Sequence, residues 1–153
     1  MDFADLLPAR IVRAAGRDEP ALPDVAVLED ERELADLAVE VCRQLGLTAS
    51  VFRTAAAYNE TFAGRRPRLV ILDWRLDREV AAAVYMALRH RFDDLQIVLW
   101  TATGERELPG MLGADPRTRV VRKSSGLETL EAALREAIAA GSGSNDDRQE
   151  EPT

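Results

Sequence analysis

The stretch Arg68-Leu69-Val70-Ile71-Leu72-Asp73-Trp74-Arg75 decides the fold of this chain. Four consecutive aliphatic residues precede an aspartate, and such an uninterrupted apolar run predicts a strand buried on both faces of a parallel sheet. Asp73 then lies at the carboxyl end of the strand, the edge at which open α/β sheets bind their ligands. Taken alone, Asp73 could equally begin a turn, so its role depends on what the other strands contribute.

Length and composition place the chain among single-domain proteins with a substantial core, since it has 153 residues of which 46% are hydrophobic. The net charge of −7 argues against a general nucleic-acid binder, which would usually be basic. No apolar run reaches the length of a membrane span, and the acidic start Met1-Asp2-Phe3-Ala4-Asp5 is unlike a secretory signal. We therefore expect a cytoplasmic protein that binds neither nucleic acid nor membrane.

Three residue types occur once each. Cys42 excludes an internal disulfide, and its place on an apolar helical face predicts a buried structural thiol. His90 lies between two arginines at a predicted helix end, so we expect it to be solvated, and a histidine-rich metal site is excluded. Lys123 is the only lysine among 20 basic residues, which suggests a place where a compact ammonium fits and a planar guanidinium does not.

Apolar runs and helical periodicity alternate along the chain. The runs predict strands at 25–28, 49–52, 69–72, 95–100 and 119–122, with helices between them and a last helix opened by the capping-box pattern Ser125-Gly126-Leu127-Glu128. Leu37, Met86 and Leu127 are counted among the apolar helix positions. This order predicts an α/β fold, a flavodoxin-like doubly wound five-stranded parallel sheet of order 2-1-3-4-5 with about five helices.

The chain divides into three parts. Residues 1–23 form an extension in which Phe3, Leu7, Ile11 and Ala14 have helical spacing, which predicts a short helix resting on the domain, followed by a linker; a dimer or partner contact is the alternative. Residues 24–140 form the folded domain. Residues 141–153 begin with Gly-Ser-Gly-Ser and continue with acids, which predicts a disordered acidic tail.

Four predicted strands end in polar residues, namely Asp30, Asp73, Thr101 and Lys123. In a parallel sheet these ends share one edge, so we expect Glu29, Asp30 and Asp73 to converge on one pocket. Three carboxylates at close range favour a cation, and Mg²⁺ binds through a few carboxylates while sharing a phosphoryl oxygen. Asp73 could then act as a nucleophile towards phosphorus, with Lys123 and Thr101 contacting the phosphoryl oxygens.

These motifs resemble the receiver domain of two-component response regulators. The matching pieces are Glu29-Asp30 after the first strand, Asp73 in Val-Ile-Leu-Asp-Trp-Arg-Leu, Thr101-Ala102, and Lys123 before the last helix. The resemblance covers 24–140. It implies that Asp73 accepts a phosphoryl group from a phosphohistidine of a sensor histidine kinase or a histidine phosphotransfer protein. It also implies an Mg²⁺ site of Glu29, Asp30, Asp73 and the backbone carbonyl of Arg75, with Thr101, Ala102 and Lys123 contacting the phosphoryl group.

The departures from the family pattern concern the output surface. Ser124 replaces the proline that usually follows the lysine, Val120 the aromatic residue of the fifth strand, Asp77 a loop proline and Ala81 a glycine. The fourth helix, expected between Glu105 and Ala114, is weakened by one proline and two glycines. We therefore expect a stand-alone receiver, monomeric or weakly dimeric, that signals to a downstream protein partner through 101–114 rather than through a ring in the fifth strand.

Two alternatives stay open. The first is a receiver-fold docking module that keeps the acids but works without phosphorylation. The second is a small phosphohydrolase of the aspartate-nucleophile class. Such enzymes usually carry a second aspartate two residues after the nucleophile, where this chain has Arg75. We expect no enzymatic activity beyond the chain's own phosphorylation and dephosphorylation.

Overall fold

The chain alternates strands and helices in a computed structural model that describes residues 21–75, 78–102 and 115–150. The strands are β1 Val25–Leu28, β2 Ala49–Phe52, β3 Leu69–Leu72, β4 Gln96–Thr101 and β5 Thr118–Arg122. The α-helices of the described ranges are α1 Arg32–Gln44, α2 Ala55–Phe62, α3 Arg78–Arg91 and α4 Leu127–Glu150, and a 3₁₀ turn spans Lys123–Ser125.

The five strands form one parallel sheet of order β2-β1-β3-β4-β5, which confirms the predicted flavodoxin-like topology. The carboxyl ends of β1 and β3 lie side by side, because Leu28 pairs with Leu72. Thr101 at the end of β4 pairs with Arg122 at the end of β5, so Lys123 follows immediately beside it. One edge of the sheet thus carries all four predicted polar strand ends.

The core has two layers because side chains of each strand alternate between the sheet faces. Val25 and Val27 pack with α1 and α4, whereas Ala26 and Leu28 pack with α2 and α3. All four residues of β3 are buried, as the apolar run predicts. Cys42 belongs to the buried face of α1 and is fully buried, as predicted, and burial raises the pKa of its thiol to about 12. His90 is exposed, as expected.

Three apolar helix positions differ from expectation. Leu37, Met86 and Leu127 are exposed, with 41%, 50% and 38% of their surface accessible. The buried stripe of α1 is Ala35, Ala38, Val41 and Cys42, so small residues face the sheet and Leu37 lies beside them. The predicted capping box places Ser125 directly before the last helix, but α4 begins at Leu127, and the Ser125 hydroxyl instead donates to the Arg122 carbonyl at 2.7 Å within the 3₁₀ turn.

The last helix runs to Glu150, whereas the sequence predicts a disordered tail from Gly141 onward. Glycine disfavours a helix by about 1 kcal/mol relative to alanine but does not block its propagation as proline does. No proline follows Gly141 until Pro152. The predicted fourth helix between Glu105 and Ala114, the loop residue Asp77 and the extension up to residue 20 all lie outside the described residues.

A polar cluster that sequence reasoning does not anticipate ties α3 to the start of β5, at the sheet edge away from the four polar strand ends. The Arg89 guanidinium forms an ion pair with Asp115 at 2.8 Å and donates to the Leu95 carbonyl at 2.7 Å. The Tyr85 hydroxyl lies 2.8 Å from the Thr118 hydroxyl. These contacts link the buried polar groups of α3 and β5 at this end of the sheet. None of the helices in the described ranges is long and apolar enough to cross a bilayer.

Candidate functional site

Two loops carry the acids to the sheet edge. The Glu29 amide donates to the Phe52 carbonyl at 3.3 Å, and the Asp73 amide donates to the Leu28 carbonyl at 3.0 Å. These sheet-like bonds extend β1 and β3 by one residue and fix where the two carboxylates begin. One carboxylate oxygen from each of Glu29, Asp30 and Asp73 lies within 4.8 Å of the others. The structure thus brings together the three acids that the sequence singles out.

Lys123 joins the acids from the other side of the edge. Its ammonium nitrogen lies 3.1 Å from Glu29 Oε1 and 3.3 Å from Asp73 Oδ1. The same nitrogen is 5.4 Å from the centre of the Trp100 ring, within the range of a cation–π contact. Only 15% of the Lys123 side chain is accessible. The only lysine of the chain is therefore held between two carboxylates and an aromatic face.

Glu29 is the most perturbed acid of the site. Its side chain is 1% exposed, and Oε2 accepts a hydrogen bond from the Glu31 amide at 3.2 Å. Burial, and then the negative charge of Asp73, raise the pKa of Glu29 from 4.5 to about 7, although Lys123 acts in the opposite direction. A single ammonium therefore does not fully compensate two adjacent buried carboxylates.

Asp73 and Asp30 are held differently. Asp73 is 4% exposed, and its Oδ1 accepts from the Arg75 amide at 3.0 Å, which turns the chain back after β3. Asp30 is exposed, and its carbonyl accepts from the Arg53 guanidinium at 3.1 Å. A cavity of about 220 Å³ opens beside Glu29 and Asp30. Solutes can thus approach the acids from the Asp30 side.

The donor set fits a hard divalent cation. Such ions bind carboxylate oxygens, and a positive ion beside Glu29 would favour its ionised form. Apart from the Lys123 ammonium, Glu29 Oε1 has no partner among the described residues, so it can serve as a ligand. The backbone carbonyl of Arg75 stays a predicted ligand, because the contact that the structure describes for Arg75 is the one between its amide and Asp73.

The remaining site residues lie where the strand ends predict. Thr101 is fully buried at the end of β4, and Ala102 is exposed immediately after it. Sequence reasoning does not single out Trp100, which packs in the layer of α1 and α4 and contacts Lys123. Its one available signal is strand alternation, which turns residue 100 to the opposite face from residue 101.

Solved structures of receiver domains share this fold. A CheY-like response regulator receiver domain protein from Methanospirillum hungatei is 13% identical, with 81% of this chain and 99% of that chain aligned at a TM-score of 0.69. The signal receiver domain of a putative LuxO repressor protein from Vibrio parahaemolyticus is 19% identical over 85% and 98% of the two chains, also at 0.69.

The receiver domain of NtrX from Brucella abortus is 21% identical over 76% and 98% of the two chains, at a TM-score of 0.64. Against a longer NtrX chain the match covers 84% of this chain but only 29% of that one, at 19% identity and a TM-score of 0.69. No family model and no curated protein matches the sequence. The chain therefore has the receiver-domain fold of response regulators.

Proposed function

We propose that this chain is a signalling receiver that accepts a phosphoryl group on Asp73 and passes the change on through protein–protein contacts. The observation that carries the proposal is the position of the Lys123 ammonium, 3.1 Å from Glu29 and 3.3 Å from Asp73, at the carboxyl edge of a receiver-type sheet. An ammonium beside the acceptor carboxylate is close enough to neutralise an oxygen of a phosphoryl group that reaches Asp73, and catalysis of phosphoryl transfer is mostly positioning and charge neutralisation.

The transfer is a nucleophilic displacement at phosphorus. A carboxylate oxygen of Asp73 forms the new P–O bond while the P–N bond to the phosphohistidine breaks, and the imidazole leaves with the electron pair and takes up a proton. Lys123, released from part of its pairing with the acids, would neutralise one phosphoryl oxygen, and we assign the other two to the Thr101 hydroxyl and the Ala102 amide.

Glu29, Asp30 and Asp73 would hold Mg²⁺ at this edge. The ion would neutralise the acids and the incoming phosphoryl oxygens together. The proposed donor is a phosphohistidine of a sensor kinase or a phosphotransfer protein, and the proposed receiver of the signal is a downstream protein.

The decisive experiment is transfer from a small phosphoramidate donor in the presence of Mg²⁺, followed by intact-mass measurement and mapping of the adduct. We expect one phosphoryl group on Asp73 in the wild type and none in Asp73→Asn. Asp93→Asn, which removes an exposed acid after α3, should be modified like the wild type. An unmodified wild type would instead support the docking module that works without phosphorylation.

Magnesium binding should be visible in tryptophan fluorescence, because both tryptophans of the chain lie near the site. Trp74 follows Asp73, and the Trp100 ring lies 5.4 Å from the Lys123 nitrogen. We expect a saturable Mg²⁺ titration whose affinity falls by about tenfold or more in Asp30→Asn, since one of three charged ligands is lost. The matched control is again Asp93→Asn. A titration that is unchanged in Asp30→Asn would remove Asp30 from the metal site.

A further inference from the structure

We propose that the first 14 residues of this chain dock in the groove between α2 and α3, on the sheet face opposite α1 and α4. The groove has a volume of about 670 Å³, within the range of sites that bury a ligand or a short peptide segment. It is lined by residues of both helices and of the turns that follow them, and it lies away from Glu29, Asp73 and Lys123. The proposal is independent of the phosphoryl chemistry.

The lining of the groove combines an apolar floor with a basic rim. Tyr58, Phe62 and Phe92 contribute aromatic rings, of which Tyr58 and Phe62 have centroids 4.7 Å apart. Arg65 and Arg91 contribute the charged groups, and no acid belongs to the lining that the structure describes. An occupant that fits this surface carries apolar side chains and negative charge.

Tyr58 supplies a second indication of an occupant. It is 5% exposed, and its hydroxyl makes no hydrogen bond with any of the described residues. Burial raises its pKa to about 12 although Arg66 and Arg91 act in the opposite direction, so the hydroxyl stays a neutral donor. Buried hydroxyls without a partner are uncommon, and an occupant that carries an acceptor would satisfy this one.

The amino-terminal segment leaves the domain beside this groove. Leu22 packs against the same core cluster as Tyr58 and Phe62. The carbonyl of Asp24 accepts from the Arg68 amide at 2.8 Å, which places the exit next to the turn that carries Gly64 and Arg65. Residues 15–20 can span about 20 Å when extended, and the groove runs along α3 from residue 83 to residue 92, about 14 Å. The segment can therefore reach the whole groove.

The composition of the segment matches the lining. Phe3, Leu7 and Ile11 have helical spacing, and residues 1–9 carry Asp2 and Asp5 without a basic side chain, whereas Arg10 and Arg13 lie nearer to the tether. We assign these apolar side chains to the aromatic floor and the aspartates to Arg91 on the basic rim. A segment tethered at this distance competes well with free ligands, because short tethers give effective concentrations of about millimolar.

Disulfide trapping in the full chain tests the assignment. Leu7→Cys is combined with Ala87→Cys in the groove, and the matched control combines Leu7→Cys with Ala132→Cys, an exposed alanine on α4 across the sheet. The native Cys42 can stay, because it is fully buried. After mild oxidation we expect an intramolecular disulfide in the groove pair at about tenfold the yield of the control pair. Equal yields in the two pairs, or no disulfide in the groove pair, would overturn the proposal.

Charge exchange gives a second readout. Arg91→Glu should lower the groove yield several-fold, and adding Asp5→Arg to the same chain should restore it. A disulfide that links two chains instead of one would overturn the intramolecular assignment and make a second copy the occupant. A disulfide yield that is the same in Arg91→Glu as in the starting pair would likewise overturn the pairing of aspartate with arginine.

Discussion

Exchange of Lys123 for arginine should lower the rate of Asp73 phosphorylation by about 10²-fold or more, although the positive charge is kept. The Lys123 ammonium contacts both Glu29 and Asp73 and lies against the Trp100 ring, with 15% of its side chain accessible. A guanidinium is planar and wider, and it directs its donors as a fixed fork. It therefore cannot occupy the same narrow space and reach both carboxylates.

The neighbouring residue provides a matched control. Arg122 is exposed at the end of β5, so Arg122→Lys makes the reverse exchange one position away and should leave the rate unchanged. Single-turnover transfer from a small phosphoramidate donor with saturating Mg²⁺ measures both variants, and thermal unfolding verifies that both are folded. A Lys123→Arg protein that is phosphorylated as fast as the wild type would show that the single lysine is an accident of composition.

The second large effect concerns stability against pH in metal-free buffer. The ordinary pKa of a glutamate side chain is 4.5, whereas the pKa of Glu29 in the folded chain is about 7. Between these values the native state binds more protons than the unfolded state, so the free energy of unfolding falls as pH rises through this window. A shift of this size corresponds to about 3 kcal/mol. The contribution of Glu29 to the free energy of unfolding is fully present below pH 4.5 and is lost above pH 7.

Glu29→Gln should therefore stabilise the metal-free protein by about 2 kcal/mol near pH 8 and by little near pH 4.5. The amide keeps the shape of the side chain and can still accept from Lys123. Urea unfolding at several pH values, in the presence of a chelator, measures the difference. Glu40→Gln removes an equal charge from an exposed pair with Arg43 and should not stabilise at any pH. A Glu29→Gln protein that is less stable than the wild type at pH 8 would contradict the raised pKa.

The sheet and the residues at its edge follow from local patterns. Buried parallel strands need both faces apolar, which the runs at 25–28, 69–72 and 97–100 display directly. A polar residue at the end of each run then lies at the same edge of the sheet, independently of how the helices pack. The positions of Glu29, Asp73 and Lys123 were therefore predictable, whereas their distances and the raised pKa of Glu29 depend on packing.

The features that sequence reasoning misses have partners far apart in the chain. Arg89 and Asp115 are separated in the sequence by β4 and the connection that follows it, and no local pattern around either residue predicts an ion pair. Trp100 contacts Lys123 only because β4 and β5 are neighbours. The exposure of Leu37 depends on which part of a broad apolar face meets the sheet, and helical periodicity does not resolve this.

The single lysine also gives this chain an unusual chemical simplicity. A lysine-specific endopeptidase has one cleavage point, after Lys123, and an acylating reagent has one side-chain amine to modify. Acylation needs an accessible, unpaired amine, and here the nitrogen is held by Glu29 and Asp73. The rate at which the amine reacts thus reports how often the acids release it, without an introduced label.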